Sequence, residues 1–443
     1  MPITKIISGT GANEFFHVRG DGLVVPAGYV DRTDATAADD MILGGGGNDI
    51  VHGGGGLDFI RGDDGNDKLY GEAGDDQLSG GAGSDELYGG AGDDIYSIGA
   101  GDLIVEGLGQ GIDMVYASIP DYTLPANVEN GSGQGLTGNA LDNELTGTRL
   151  FGLGGADILN GQLGDDLLSG GTGADDLFGA PGFDTADYST SSAGVWVSLL
   201  ANLGLRGDAQ GDTLLEIEAL LGSAGADTLI GDGAANRLDG GSGDDTLEGG
   251  AGADTLIGGA GIDTAYYTTS SAGVAVNLTT GTGIGVDAVG DTLSGIEQLS
   301  GSNFGDMLSG DSGANGLWGG AGDDALTGGA GADRLKGGAG KDLFIYVATS
   351  DSTVAGIGRD TINDFGSGDR IDVSSIDADG QIGNGDTAFR FVSGAFTGHA
   401  GEIRIMAQSG YQAVYLDIDG DKAADSAIMV LSDHALTAAD FVL

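Results

Sequence analysis

Residues 44–97 read GGGGNDIVH, GGGGLDFIR, GDDGNDKLY, GEAGDDQLS, GGAGSDELY and GGAGDDIYS, six consecutive units of nine. Each has the form G-G-x-G-x-D-x-U-x, with U large and apolar, and such self-similarity marks a stacked repeat. The sixth positions are Asp49, Asp58, Asp67, Asp76, Asp85 and Asp94, and the eighth are Val51, Ile60, Leu69, Leu78, Leu87 and Tyr96. Glycine adopts positive φ without penalty but loses the most entropy on ordering, so the first six residues suit a tight turn. The last three suit a short strand with one side chain facing inward. Two units then make one coil of 18 residues, and coils stack about 4.8 Å apart as neighbouring strands do. Like turns recur every second unit, which lines up aspartates into vertical columns. An unpaired column of carboxylates repels itself. A hard cation between rungs removes the repulsion, and carboxylate and carbonyl oxygens at roughly 2.3–2.6 Å suit calcium better than the stricter octahedron of magnesium.

The same unit recurs outward from this stretch. A degenerate copy with Asp40 and Ile42 precedes it in register. A second array carries Asp157, Asp166, Asp175 and Asp184 after a looser unit centred on Asn143. A third carries Asp227, Asn236, Asp245, Asp254 and Asp263, and a fourth Asp306, Asn315, Asp324, Asp333 and Asp342. A shift of 79 residues maps Asp184 on Asp263, Asp212 on Asp291 and Asn236 on Asn315, and spacer SSAGVWVSL (191–199) on SSAGVAVNL (270–278). Val195, Val197 and Leu199 alternate, as do Val274, Val276 and Leu278, which predicts strands with one buried face and spacers built into the fold. The expected organisation is an N-terminal segment or cap at 1–39 and repeat blocks at 40–97, 138–187, 222–266 and 301–345. Spacers fall at 98–137, 188–221 and 267–300, and a domain of different style at 346–443. The fold class is all-β, a parallel β-roll solenoid in several blocks with a β-rich C-terminal cap. Val51, Leu69, Leu247, Leu326 and their equivalents supply its core.

Composition agrees. Of 443 residues 92 are glycine, about three times ordinary usage. The 68 acidic residues divide into 11 Glu and 57 Asp, a preference for the short carboxylate that serves turns and metals. Five prolines exclude collagen, and the absence of cysteine excludes disulfides and thiolate metal sites. A net charge of -52 argues against a nucleic-acid partner. No stretch approaches the roughly 18 apolar residues of a transmembrane segment, and Met1 is followed by no secretory signal peptide.

The arrays resemble the RTX, or hemolysin-type, family of calcium-binding repeats. After Asp342 aromatics appear, glycine thins out, and GRDTINDFGSGDRIDVSSID (358–377) leads to a terminal LTAADFVL. This resembles the serralysin C-terminal domain, whose uncleaved end is read by a type I secretion (ABC exporter) machinery; Asp440 to Leu443, an acid followed by apolar residues, match that end. The two resemblances imply an extracellular protein of a Gram-negative bacterium, exported unfolded and folded on external calcium. The sixth-position aspartates are the expected ligands, with turn carbonyls completing the shells. Pairing units two apart gives roughly 11 ions, and more if the Asn-containing units also bind.

Nothing points to catalysis. His17, His52, His399 and His434 stand far apart without HExxH, and an exposed surface place is expected for each. No G-x-S-x-G occurs, and Gly340-Lys341 lacks the remainder of a phosphate loop. Asp417, Asp419, Asp421 and Asp425 in DIDGDKAAD imitate a calcium loop, but the glycine is displaced and the twelfth-place Glu is missing, so a β-turn between strands is expected. The expected function is a calcium-folded structural protein that self-associates into a surface layer, matrix or filament. A glycan- or surface-binding module is the alternative, with a polysaccharide-active enzyme behind both.

Overall fold

The computed structural model describes residues 5–18, 23, 25–378 and 388–443. Among them the regular elements are β-strands and four single-turn 3-10 segments, with no α-helix. The chain divides into two compact units, one of residues 1–191 and 202–217, the other of residues 192–201 and 218–443.

In the first unit alternate strands pair in parallel. Ile50–Gly55 lies beside Lys68–Ala73, which lies beside Glu86–Ala91. Asp40–Gly46, Phe59–Asp64, Gln77–Ala82 and Ile95–Ile98 form the other ladder. The register stacks Val51 on Leu69 on Leu87, and Ile42 on Ile60 on Leu78 on Tyr96, each at most 2% exposed. Burying a Leu-sized side chain this fully contributes about 1.5–3 kcal/mol. The strands are six residues long rather than the expected three. Pairing resumes past the first glycine of the next unit, at Gly54↔Glu72 and Gly55↔Ala73, because extended backbone there still reaches the coil below. Gly65 and Gly83 turn the chain at φ 137 and 152, a region closed to most side chains.

The N-terminal segment joins the roll: Lys5–Ser8 pairs with Asp40–Gly46, and Glu14–Val18 with Ile50–Gly55. Past Ile98 the coil narrows. Asn130 pairs with Glu144 and Glu144 with Ile158, steps of 14 residues, before Leu150↔Leu168 restores 18. These coils lack the glycine-rich extension of the turn but keep an inward Leu at 136, 145, 150 and 159.

In the second unit Trp196–Ser198, Thr228–Ile230, Thr246–Glu248 and Thr264–Tyr266 form one parallel ladder, continued by Gln298–Ser300, Gly316–Ala321, Arg334–Ala339 and Thr361–Phe365. The spacer is structural, as its alternation predicts. Val274–Asn277 and Thr282–Gly285 form an antiparallel hairpin, and the first of these strands then pairs in parallel with Met307–Ser309. Val274 and Val276 are buried by it. The C-terminal residues cover the end of this unit. Glu402–Ala407, Gln412–Asp417 and Ser426–Ser432 form an antiparallel meander whose last strand lies parallel to Thr361–Phe365. Phe441–Val442 pairs with Arg370–Asp372. Open solenoid edges are thereby paired rather than left as templates.

Candidate metal centres

Most sixth-position aspartates accept the amide of the equivalent residue one coil before. The amide of Asp40 donates to Oδ1 of Asp58 at 2.8 Å, and the pattern repeats from Asp49 to Asp67, Asp58 to Asp76, Asp67 to Asp85 and Asp76 to Asp94 at 2.7–2.8 Å. In the later blocks it runs from Asp157 to Asp175, Asp166 to Asp184, Asp227 to Asp245, Asp245 to Asp263, Asp306 to Asp324 and Asp324 to Asp342. The expected columns therefore exist, and every predicted aspartate stands in one.

The second carboxylate oxygen is what matters for a ligand. Oδ2 of Asp49, Asp58, Asp67, Asp76, Asp85, Asp94, Asp157, Asp175, Asp245, Asp254, Asp263, Asp324, Asp333 and Asp342 is buried without a hydrogen-bond partner; so are Oδ1 of Asp40 and both oxygens of Asp166. A buried anionic oxygen left unpaired costs several kcal/mol, so it takes up either a proton or a cation. Burial pushes Asp49 and Asp94 up to about 7 and Asp76 up to about 8, and neighbouring carboxylates of the column add to the shift. The amide bond each accepts works the other way without offsetting it.

The first glycine of each unit shapes the space beside that oxygen. A Cβ on Gly62 would overlap Oδ2 of Asp67 and lie 2.6 Å from the carbonyl oxygen of Gly80, one coil on. Gly71 stands likewise to Asp76 and Gly89, Gly152 to Asp157 and Gly170, and Gly319 to Asp324 and Gly337. An anionic oxygen and a carbonyl oxygen thus converge where no side chain can intrude. This donor set, all oxygen and anionic on balance, fits a hard divalent cation of calcium's size.

Two predicted ligands differ from the others. Both oxygens of Asp227 are already bonded, by the Val195 amide and by the Ser223 amide and hydroxyl, and those of Asp306 by Val274 and Ser302 in the same way. The asparagines are satisfied alike: Oδ1 of Asn143, Asn236 and Asn315 accepts the amide four residues earlier, from Asn139, Asp232 and Asp311. In each of these residues a side-chain oxygen closes a local turn by accepting the amide four residues earlier.

The columns also run past the repeats, which the nine-residue period could not reveal. Asp85 donates to Asp102, Asp94 to Asp113, Asp113 to Glu129, Asp175 to Asp212 and Asp254 to Asp291. Asp263 donates to Glu297, Asp333 to Asp360 and Asp342 to Asp369. Asp212 and Asp291 left a trace in the sequence through the 79-residue repeat, which also maps Glu218 on Glu297. In two of these rungs a tyrosine hydroxyl meets the terminal carboxylate: Tyr188 donates to Oδ2 of Asp212 at 2.9 Å and Tyr267 to Oδ2 of Asp291 at 3.0 Å.

The remaining expectations divide. DIDGDKAAD joins two antiparallel strands; Asp417 accepts the amides of Gly420 and Lys422, and one oxygen each of Asp417, Asp419 and Asp425 lies within 4.8 Å of the others. The histidine expectation is corrected at two positions. His17 is buried, and His52 lies on a strand with its ring stacked on Tyr70 at 4.5 Å, Tyr70 stacking in turn on Tyr88. Position nine faces outward, and rings there 18 residues apart cover one another.

Two families match the chain. The RTX calcium-binding nonapeptide repeat matches residues 34–69, 70–102 and 151–186. The family described as peptidase M10 serralysin C terminal matches residues 172–443, more than half of the chain. No curated protein matches. Among the described residues no helix is long and apolar enough to cross a membrane. RTX repeats bind calcium, and within the matched residues unpartnered oxygens belong to Asp40, Asp49, Asp58, Asp67, Asp76, Asp85, Asp94, Asp157, Asp166 and Asp175. The chain belongs to the peptidase M10 serralysin C-terminal family and carries calcium-binding RTX repeats ahead of and within that match.

Proposed function

We propose that this is an extracellular structural protein that leaves the cell unfolded through a type I exporter and folds when calcium fills its aspartate columns. The observation that carries this is the row of buried, unpartnered carboxylate oxygens facing glycine carbonyls of the next coil. On the order of ten ions are held, by the aspartates at 40, 49, 58, 67, 76, 85, 94, 157, 166, 175, 184, 245, 254, 263, 324, 333 and 342 with turn carbonyls. Asp227 and Asp306 are left out of this set because hydrogen bonds take up both of their oxygens. Such ions neutralise part of the -52 charge, and without them many three-residue strands cannot offset chain entropy and self-repulsion. Binding free energy is then folding free energy. The serralysin C-terminal match supports the export route. The protein's work is to present a rigid folded roll, not to catalyse. Far-UV circular dichroism of the full chain tests this: β-signal present in millimolar calcium and largely lost in EDTA is the expected result. Unchanged β-signal in EDTA at neutral pH overturns it.

A further inference from the structure

Within a regular coil the unpartnered aspartate oxygen is matched by the carbonyl of a glycine one coil on, as Asp76 is by Gly89 across the space at Gly71. The nonapeptides end at Ser97, and the cradle at Gly89 has no such carbonyl among its nearest atoms. It holds Oδ2 of Asp94 and the hydroxyl of Tyr96. Glu106, from the spacer, reaches into the same place: its carboxylate accepts the Gly89 amide at 3.1 Å and a hydrogen bond from Tyr96. The Tyr96 hydroxyl in turn accepts from the Gly89 amide at 2.8 Å. Asp113 closes the far side, with Oδ1 bonded to the Asp94 amide at 2.9 Å.

We propose that Asp94, Glu106 and Asp113 form a further calcium site that terminates the first block outside the nonapeptide pattern, with a spacer carboxylate standing in for the missing glycine carbonyl. One oxygen of each lies within 4.8 Å of the others, the spread that a single ion touching all three at about 2.3–2.6 Å requires. A second observation separates the site from a mere acidic cluster. Asp94 is 0% exposed, and its Oδ2, aimed into the space shared with Tyr96, has no partner. Three carboxylates around one ion leave the site more anionic than a repeat site, so a trivalent lanthanide suits it as well. Tyr96 holds Glu106 in place and is a positioning residue. The inference rests on calcium filling the columns, and the experiments separate the two.

Native mass spectrometry of the folded full chain counts bound ions in wild type and in Glu106→Gln, which keeps size and half-exposed position but removes the charge. One ion fewer in the variant, with circular dichroism in calcium unchanged, is expected; an equal count overturns the site. Anomalous diffraction from wild-type crystals grown with terbium needs no variant to fold. A peak between Asp94, Glu106 and Asp113 is expected. Peaks along the columns with none there overturn this site alone, whereas no peaks anywhere overturn the calcium columns as well.

Discussion

The amide of Asp76 donates to Oδ1 of Asp94 across 2.7 Å, while Oδ2 of Asp94 is buried with no partner. One oxygen of each carboxylate therefore fixes the coil spacing, and the other is left for an ion. The two roles separate on substitution. Asp76→Asn keeps an oxygen for the amide of Asp58 but removes the charge. In calcium the variant is expected to lose about 1–3 kcal/mol, read from urea unfolding. In EDTA it is expected to be at least as structured as wild type, because column repulsion falls. Equal losses in both buffers would show that the carboxylate serves packing alone.

The pH dependence follows from Asp49, Asp76 and Asp94, raised by burial to about 7, 8 and 7 from 3.8. A carboxyl raised on folding stabilises the fold fully below 3.8 and loses that contribution as pH rises through the folded value. Calcium-free β-content is therefore expected to grow as pH is lowered from about 8 toward 4. With calcium present the sign inverts, since protons compete for the same oxygens and ions are released over that window. Circular dichroism and a calcium electrode follow the two curves.

Glycine at the first position of a unit should be irreplaceable. Gly62→Ala places a methyl against Oδ2 of Asp67 and the Gly80 carbonyl, and is expected to weaken calcium-induced folding by about 1–3 kcal/mol. Gly233→Ala meets nothing within 4 Å and should stay within about 0.5 kcal/mol of wild type. Calcium titrations of folding compare the two.

Leu247 is 0% exposed, and Leu247→Ala should cost about 2–5 kcal/mol. Because folding and ion binding are one equilibrium, the calcium midpoint is expected to rise although the leucine offers no oxygen to an ion. A midpoint that stays fixed while stability falls would uncouple them.

Much of this was legible because a repeat writes its own geometry. Nine-residue units, two per coil, place Asp58 on Asp76 and Val51 on Leu69 with no further information. Asp102, Asp113 and Asp360 were not legible, since their offsets of 17, 19 and 27 from the preceding rung depend on how the spacer folds. Nor could spacing show that Ser223 and Ser302 already satisfy Asp227 and Asp306, which is a matter of turn conformation.

The order of glycine, aspartate and one large apolar residue fixed the roll by itself, because local turn preference and inward alternation agree at every unit. Tertiary structure alone decided where each column begins and ends. A carboxylate's fate depends on what the adjacent coil presents to it, and at the block edges that neighbour comes from chain lying outside the period.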